Sequence, residues 1–262
     1  MGSKVTSSVL PAVAAIVMAG LPREDAGASA TERLTSADLR DERFSSSTTC
    51  AGDAASEEYC EVVLVGSSDR WRCTGVVVGL GWVLTAAHCL PATRVGWGHA
   101  TDRLATTGAV TGARRAPGGL DAVLLKVSGG AWGATASLAA VTDGTTELHA
   151  VGFGSPRSES GSAAKELVRL RLATTSGCDP LERDVLGCAP GRELVAASPA
   201  HKDTCNGDSG GPLYQGGGEA RSVVGLVSRP IRGARAACGE GGIYLRTDVL
   251  LPWISSIIEE EP

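Results

Sequence analysis

Aromatic residues are scarce: five Trp, three Tyr and two Phe, 4% of 262 residues. Basic charge is not in excess. Lys and Arg number 24 against 29 Asp and Glu, a net charge of −5, and no basic stripe runs along the chain. A nucleic-acid partner, which would need such a stripe, is not expected. No apolar run is long enough to cross a bilayer as a helix. No tandem C-x-x-C pair is present, so the cysteines do not read as a zinc site. No internal repeat is visible. What the chain has in quantity is glycine, 35 residues, which a helix bundle would tolerate badly. Many short strands joined by tight turns accommodate it better. Apolar residues at 43% and charged residues at 20% are globular proportions.

The eight cysteines are Cys50, Cys60, Cys73, Cys89, Cys178, Cys188, Cys205 and Cys238. An even, dispersed set points to four disulfides and an oxidising compartment. About a hundred pairings are open on count alone. The amino terminus agrees with export. Lys4 precedes a mildly apolar run from Val9 to Ala19, and Ala28-Ser29-Ala30 follows as an A-x-A site. Residues 1–30 therefore read as a signal peptide, with a cut after Ala19 as the alternative. The expected location is secreted or periplasmic.

Residues 31–49 are polar and offer nothing to a core. From Glu61 onward, short β-branched runs recur between Gly, Ser, Asp and Pro. They are Glu61–Val65, Cys73–Val78, Trp82–Thr85, Ala122–Val127, His149–Phe153, Leu167–Leu172, Pro212–Tyr214, Ser222–Val227 and Gly242–Leu245. Val168 to Leu172 alternates cleanly, which sets both of its arginines toward water. Ser155–Ala164 and Gln215–Ala220 read as surface loops. Only the carboxyl end reads as a helix, over about 248–260. Asp248 would cap it, Pro252 would sit in its first turn, and Leu250, Ile254, Ile257 and Ile258 would share one face. The fold class is all-β with a terminal helix, a barrel or a sandwich.

Three segments carry chemistry. Thr85-Ala86-Ala87-His88-Cys89 follows an apolar strand, Leu120-Asp121-Ala122 opens another, and Cys205-Asn206-Gly207-Asp208-Ser209-Gly210-Gly211-Pro212 is a glycine-rich turn. A serine hydroxyl becomes a nucleophile when a base takes its proton. An imidazole does that, and a carboxylate holds its tautomer. Glycines around a serine let backbone N–H groups face a common point, as an oxyanion site requires. His88 or Asp121 alone would be an ordinary structural residue. The order His, Asp, Ser with this turn is not ordinary.

These motifs resemble the trypsin-like (chymotrypsin-fold) serine endopeptidases, over roughly Phe44 to Glu259. The resemblance implies two antiparallel Greek-key β-barrels with the active site between them, plus the terminal helix. The first barrel would span about 44–140 and the second about 141–247. It implies Ser209 as nucleophile, His88 as base and then acid, and Asp121 as the orienting carboxylate, with the N–H groups of Gly207 and Ser209 as oxyanion donors. Asp102 and Asp143 are rival carboxylates by position, but neither heads a matching strand. His99, His149 and His201 match no motif and read as structural or surface residues. The disulfides implied are Cys73–Cys89, Cys178–Cys188 and Cys205–Cys238, with Cys50–Cys60 left over.

Asp203, six residues before Ser209, matches the acid at the floor of the primary pocket. Gly242 matches its wall, and Ser228 the substrate-binding segment. Cleavage after Arg or Lys follows as the expected specificity. One departure is Ser228-Arg229-Pro230, where the family commonly has Ser-Trp-Gly. Pro230 at the glycine position would remove an N–H donor, unless the register slips and Gly233 takes the place. Arg229, Arg232 and Arg235 would make the rim basic and favour acidic residues upstream of the cut. A second departure is the absence of an Ile-Val-Gly-Gly-like start. Arg43-Phe44 stands at the corresponding distance, so a cut after Arg43 would free a Phe44 amine for Asp208, with 31–43 as a short propeptide and 44–262 as the protease domain. Constitutive activity is the competing expectation. No cofactor and no metal are expected, since only Asp102 among acids lies between His88 and Asp121. The partners expected are polypeptide substrates and protein inhibitors, for a monomer. A silent protein-binding homologue and a serine esterase are the alternatives.

Overall fold

The β-branched runs and the glycines between them produce the architecture directly. In the computed structural model, the residues described are 42–43, 59–102, 104–132, 134–142, 148–155, 168–198, 203–236 and 238–261. Strands β2 (Val62–Gly66), β3 (Trp71–Gly79), β4 (Trp82–Thr85), β5 (Arg94–Trp97), β6 (Thr106–Arg115) and β7 (Val123–Gly129) close into a ring in the order β2-β3-β4-β7-β6-β5. A two-residue strand, β1 (Glu42–Arg43), belongs to the second sheet. There β8 (Leu148–Gly152), β9 (Val168–Ser176), β10 (Glu193–Ala197), β11 (Pro212–Gln215), β12 (Ser222–Pro230) and β13 (Gly242–Arg246) run β9-β10-β13-β12-β11-β8, and β8 pairs back onto β9. All these pairings are antiparallel. Two six-membered rings result, and closure leaves few edges open.

The run Val62-Val63-Leu64-Val65 is apolar at every position, and the structure shows why. Val62 and Leu64 belong to a cluster that also holds Phe153, Tyr214, Leu226 and Leu250 of the second half. Val63 and Val65 belong to another, with Val77, Val83, Leu125 and Val127. A strand buried on both faces has no polar side to show. A third cluster fills the second ring around Leu148, Leu172, Leu194, Leu213 and Tyr244.

The strand starting near Val168 extends to Ser176, further than its alternation suggests. Its Leu172 is buried and its Arg171 half-buried rather than free in water. Strands β5, β6 and β10 carry no clear sequence signal. Strand β6 (TTGAVTGARR) is largely exposed and contains two glycines, so no apolar alternation marks it. A short helix, α1 (Glu182–Leu186), is ended by Gly187 at φ 75°, where glycine carries no Cβ penalty.

The terminal helix, α2, runs Leu251–Glu260 with Pro252 in its first turn. Leu250 and Ile254 are buried, and Ile257 and Ile258 pack beside them. Asp248 does not cap it. Arg246 takes the Asp248 carboxylate at 2.6 and 3.0 Å, and no side chain caps the helix start. A guanidinium two residues away on the same chain outcompetes the helix N–H groups. The far end is tied to the first ring, where Trp82 Nε1 and Lys126 Nζ donate to the Glu261 carbonyl at 3.1 and 2.8 Å.

Candidate active site

His88 sits in a one-turn 3-10 helix, Ala87–Cys89, directly after β4. A disulfide from Cys89 to Cys73 of β3 pins that turn to the ring. Asp121 lies 33 residues on, at the entry to β7. Its Oδ2 receives His88 Nδ1 at 2.8 Å, and its Oδ1 the His88 backbone N–H at 3.0 Å. Ser228 of β12 donates its hydroxyl to Oδ2 at 2.7 Å. Burial pushes the Asp121 carboxyl up, but the hydrogen bonds from His88 and Ser228 outweigh it and hold the group below its ordinary value. An ionised Asp121 accepts at Nδ1–H, which leaves the lone pair of the imidazole on Nε2. The rival Asp102 is exposed in the turn after β5, and Asp143 lies outside the described residues.

Ser209 reaches the same place through its backbone. Its carbonyl accepts the Thr74 N–H of β3 at 3.0 Å, and the next residue, Gly210, donates to the Val227 carbonyl at 2.8 Å. Gly210 has φ 77°, and a Cβ there would stand 2.1 Å from Thr85 Oγ1 and 2.4 Å from Ala86 N. Only glycine lets the serine turn nest against the segment that carries His88. Gly207, at φ 105°, bends the turn from the other side.

Asp208 is buried at 5% exposure. Its carboxylate takes the N–H groups of Gly154 at 2.7 Å and Cys205 at 2.8 Å. A Cβ on Gly152, the last residue of β8, would come within 2.3 Å of Asp208 Oδ1, and one on Gly154, two residues on, within 1.8 Å of Oδ2, so glycines stand where that carboxylate lies. Arg43 is the second residue of β1 and pairs with Val168. Phe44 lies outside the described residues.

Asp203 is buried at 6% exposure. It receives the N–H groups of Thr204 and Gly241, both at 2.6 Å, with the Tyr244 hydroxyl at 3.3 Å. Burial raises its carboxyl above the ordinary value, and these donors only partly offset that. Gly242 stands alongside. A Cβ there would meet Tyr244 OH at 3.0 Å and Thr204 Oγ1 at 3.1 Å, so a side chain would crowd the two hydroxyls beside Asp203. The Cys205–Cys238 disulfide joins the two segments that flank it.

Pro230 stays inside β12, opposite Gly242. The register does not pass to Gly233, which lies in an exposed turn at φ 80°. Arg229 is not a free rim charge. Its guanidinium grips Glu193 bidentately at 2.6 and 2.8 Å and reaches the Gly187 carbonyl at 2.9 Å. Arg232 donates to the Asp184 carbonyl at 2.8 Å. The basic rim is thereby partly spent on the fold.

A third disulfide joins Cys178 to Cys188. Cys60 is disulfide-bonded, while Cys50 lies outside the described residues. Sulfur and imidazole atoms of Cys73, His88 and Cys89 lie within 4.8 Å of one another, but the disulfide consumes both sulfurs, so they hold no cation. His149 is buried, with Tyr59 OH at 2.9 Å from its Nε2. His99 is half-buried near the end of β5, and His201 lies outside the described residues. The residue that composition gave no reason to single out is Thr74. Its hydroxyl donates to the Gly207 carbonyl at 2.8 Å and accepts the Phe153 N–H at 3.0 Å, so it ties the serine turn to both rings.

Known proteins resemble this arrangement. The sequence model of the family described as Trypsin matches residues 49–254, well over half of the chain. The CLIP domain-containing serine protease HP8 of Bombyx mori is 30% identical over 118 residues, 43% of this chain and 31% of that protein. Glucanase inhibitor protein 3 of Phytophthora infestans is 46% identical over 59 residues, 21% of this chain and 22% of that protein. The chain thus spans less than a third of either relative's length. Among solved structures, neuropsin, a serine protease expressed in the limbic system of mouse brain, superposes with a TM-score of 0.63 at 23% identity, over 76% of this chain and 94% of that one. The paired rings and the extent of the family match lead to one conclusion: this chain belongs to the trypsin-like serine protease family, with the chymotrypsin fold.

Proposed function

We propose that the chain is a secreted, monomeric serine endopeptidase that hydrolyses peptide bonds after Arg or Lys through an acyl-enzyme. The observation that carries this reading is the Asp121 carboxylate, held by His88 Nδ1, the His88 N–H and Ser228, beside the turn that bears Ser209. His88 Nε2 takes the Ser209 proton as Oγ attacks the carbonyl carbon. The N–H groups of Gly207 and Ser209 receive the oxyanion. His88 then gives the proton to the departing amine, and water repeats the sequence to release the acid. Disulfides among the described residues suit an oxidising compartment, and no described helix is long and apolar enough to cross a membrane. The test is hydrolysis of peptide amides with Arg, Lys, Phe or Ala before the cut. Folded protein that turns over none of them refutes the reading.

Asp203 sets the preference. Asp203→Ala is expected to lower kcat/KM for arginyl amides by about a hundredfold or more, because a substrate cation would lose its buried partner. An alanyl amide would change by less than about twofold. The same group predicts a pH effect. An ionised Asp203 is needed to hold an amidine ligand, so binding is strong above its pKa and weakens as pH falls through it. Burial raises that pKa, so the weakening sets in at higher pH than for an ordinary carboxyl. A binding-pH profile of benzamidine measures it, and Asp203→Asn is expected to flatten the acid limb.

Activation by cleavage after Arg43, with residues 1–30 removed as a signal peptide and the Phe44 amine pairing with Asp208, belongs to this reading. Because Arg43 pairs with Val168 in a strand, the β1–β9 pair has to open for that cut. Mass spectrometry of the fully active enzyme is expected to find Phe44 at the amino terminus. A start well upstream overturns this part alone. A second reading, a binding module without turnover, is favoured by Pro230 in the cleft strand and by the relative named as a glucanase inhibitor. Tight peptide binding without hydrolysis would establish it.

A further inference from the structure

Strand β12 changes partners along its length. From Ser222 to Leu226 it pairs with β11, and from Gly225 it pairs with β13 as well. Val227 then closes against the serine turn, donating to Gly211 O at 2.9 Å and accepting from Gly210 N at 2.8 Å. From Ser228 to Pro230 the only strand beside it among the described residues is β13. Ile231 donates its N–H to Gly241 O at 3.1 Å, toward β13. Backbone alternation along a strand therefore turns the Pro230 nitrogen and carbonyl to the opposite edge, which no described strand covers. That edge starts beside Asp121, which Ser228 touches, and leads away from Ser209.

An open edge next to a nucleophile is where an extended chain adds as a further strand, held by main-chain hydrogen bonds. A residue opposite Pro230 would exchange two bonds with any other amino acid. Proline has a carbonyl but no N–H. The neighbouring donors do not replace it, because alternation turns the Arg229 N–H toward β13 and Ile231 is committed to Gly241. The strand is also braced against a shift. Arg229 bonds Glu193 of β10 and the Gly187 carbonyl at the end of α1, and Glu193 takes the Ala189 N–H at 2.7 Å.

We infer that Pro230 is a specificity-determining residue: the cleft accepts the N–H of the third substrate residue before the cut but offers no donor to its carbonyl. The third residue is the one concerned because Ser228, bonded to Asp121, stands at the catalytic end of this edge and so would lie against the first, and strand period two carries Pro230 to the third. This rests on the endopeptidase reading for its substrate. The ligands it fits are chains recognised by their first residue, with the third-residue carbonyl left in water.

The test compares acetyl-Arg-amide with acetyl-Ala-Ala-Arg-amide as ligands of the oxidatively folded full chain carrying Ser209→Ala, both uncut and after cleavage behind Arg43 by an added arginine-specific protease. With Pro230, the tripeptide is expected to bind within about threefold of the single residue. Pro230→Ala restores one donor and raises the tripeptide's advantage by about fivefold, the worth of one ordinary hydrogen bond. Replacing the carbonyl of the tripeptide's first alanine, the third residue before the cut, by an alkene removes that gain and leaves the Pro230 protein unchanged. Pro230→Gly guards against a folding defect in the first variant and should move in the same direction. An advantage that does not rise in either variant overturns the inference, as does a gain equal for both ligands. Protein with Ser209 is assayed in parallel. Binding that follows the pattern without hydrolysis defeats the endopeptidase reading and keeps the role of Pro230. Hydrolysis without the tripeptide-specific gain does the reverse. Failure of the uncut and the cut protein alike to bind either ligand overturns both.

Discussion

Replacing Ser209 by alanine is expected to lower turnover of an arginyl peptide amide by about a millionfold, to the level left by binding and oxyanion stabilisation. The size follows from the absence of a substitute, since an alanine methyl cannot form the acyl-enzyme. Asp121→Asn should cost less, about ten-thousandfold, because the amide reverses the donor pattern at His88 Nδ1 and favours the wrong tautomer. The double variant Ser209→Ala with His88→Ala should be no slower than Ser209→Ala alone, because the two act as one unit. Steady-state assays with active-site titration measure all three. A loss of only tenfold on Ser209→Ala would mean that another group is the nucleophile.

The second large effect lies away from the cleft. Glu61 is buried at 4% exposure. Arg221 grips it with Nε at 3.1 Å and Nη2 at 3.0 and 3.1 Å, and the Tyr214 hydroxyl donates to it at 2.7 Å. The guanidinium carbon stands 4.6 Å from the Tyr59 ring centroid, and His149 stacks on Tyr214 at 5.3 Å. Burial first, and the Glu61 charge second, push the Tyr214 phenol well above its ordinary pKa, so it stays a donor. Glu61→Ala would leave a largely buried guanidinium and a hydroxyl without their acceptor. The expected loss is about 3–5 kcal/mol, a fall of about 10 °C in Tm for a domain of this size. Replacing Glu61 and Arg221 together by methionine should recover most of it, because an apolar pair leaves no uncompensated charge. Thermal unfolding of Glu61→Met, Arg221→Met and the double variant reads the coupling. A loss under about 1 kcal/mol for Glu61→Ala would show that solvent already screens the pair.

The cluster around Glu61 was invisible in the sequence, and the reason is instructive. Glu61 heads an apolar run and looks like a strand boundary, Arg221 looks like a loop residue, and 160 positions separate them. Nothing local marks either as buried. Strand β6 was hidden for the opposite reason, since its exposed faces and glycines erase the alternation that identifies strands. Asp248 shows a local rule overridden locally. It stands where a helix cap would, but Arg246 holds its carboxylate.

Local sequence determined much of this protein. Runs such as Trp82–Thr85 specify strands through side-chain branching and turn residues at their ends. The segments around His88, Asp121 and Ser209 carry the family resemblance because each is a short, contiguous pattern. The glycines beside Ser209 are written there because the turn needs backbone angles that other residues avoid. The tertiary structure alone decided what depends on ring closure. It brought Asp121 rather than the exposed Asp102 onto His88, and it added Ser228 from 107 residues away. It kept Pro230 opposite Gly242 instead of shifting to Gly233, and it turned Arg229 back onto Glu193. Such pairings are set by which strands meet when a sheet closes. A periodicity of two or 3.6 residues encodes which side of a segment is apolar, but not which distant segment will cover it.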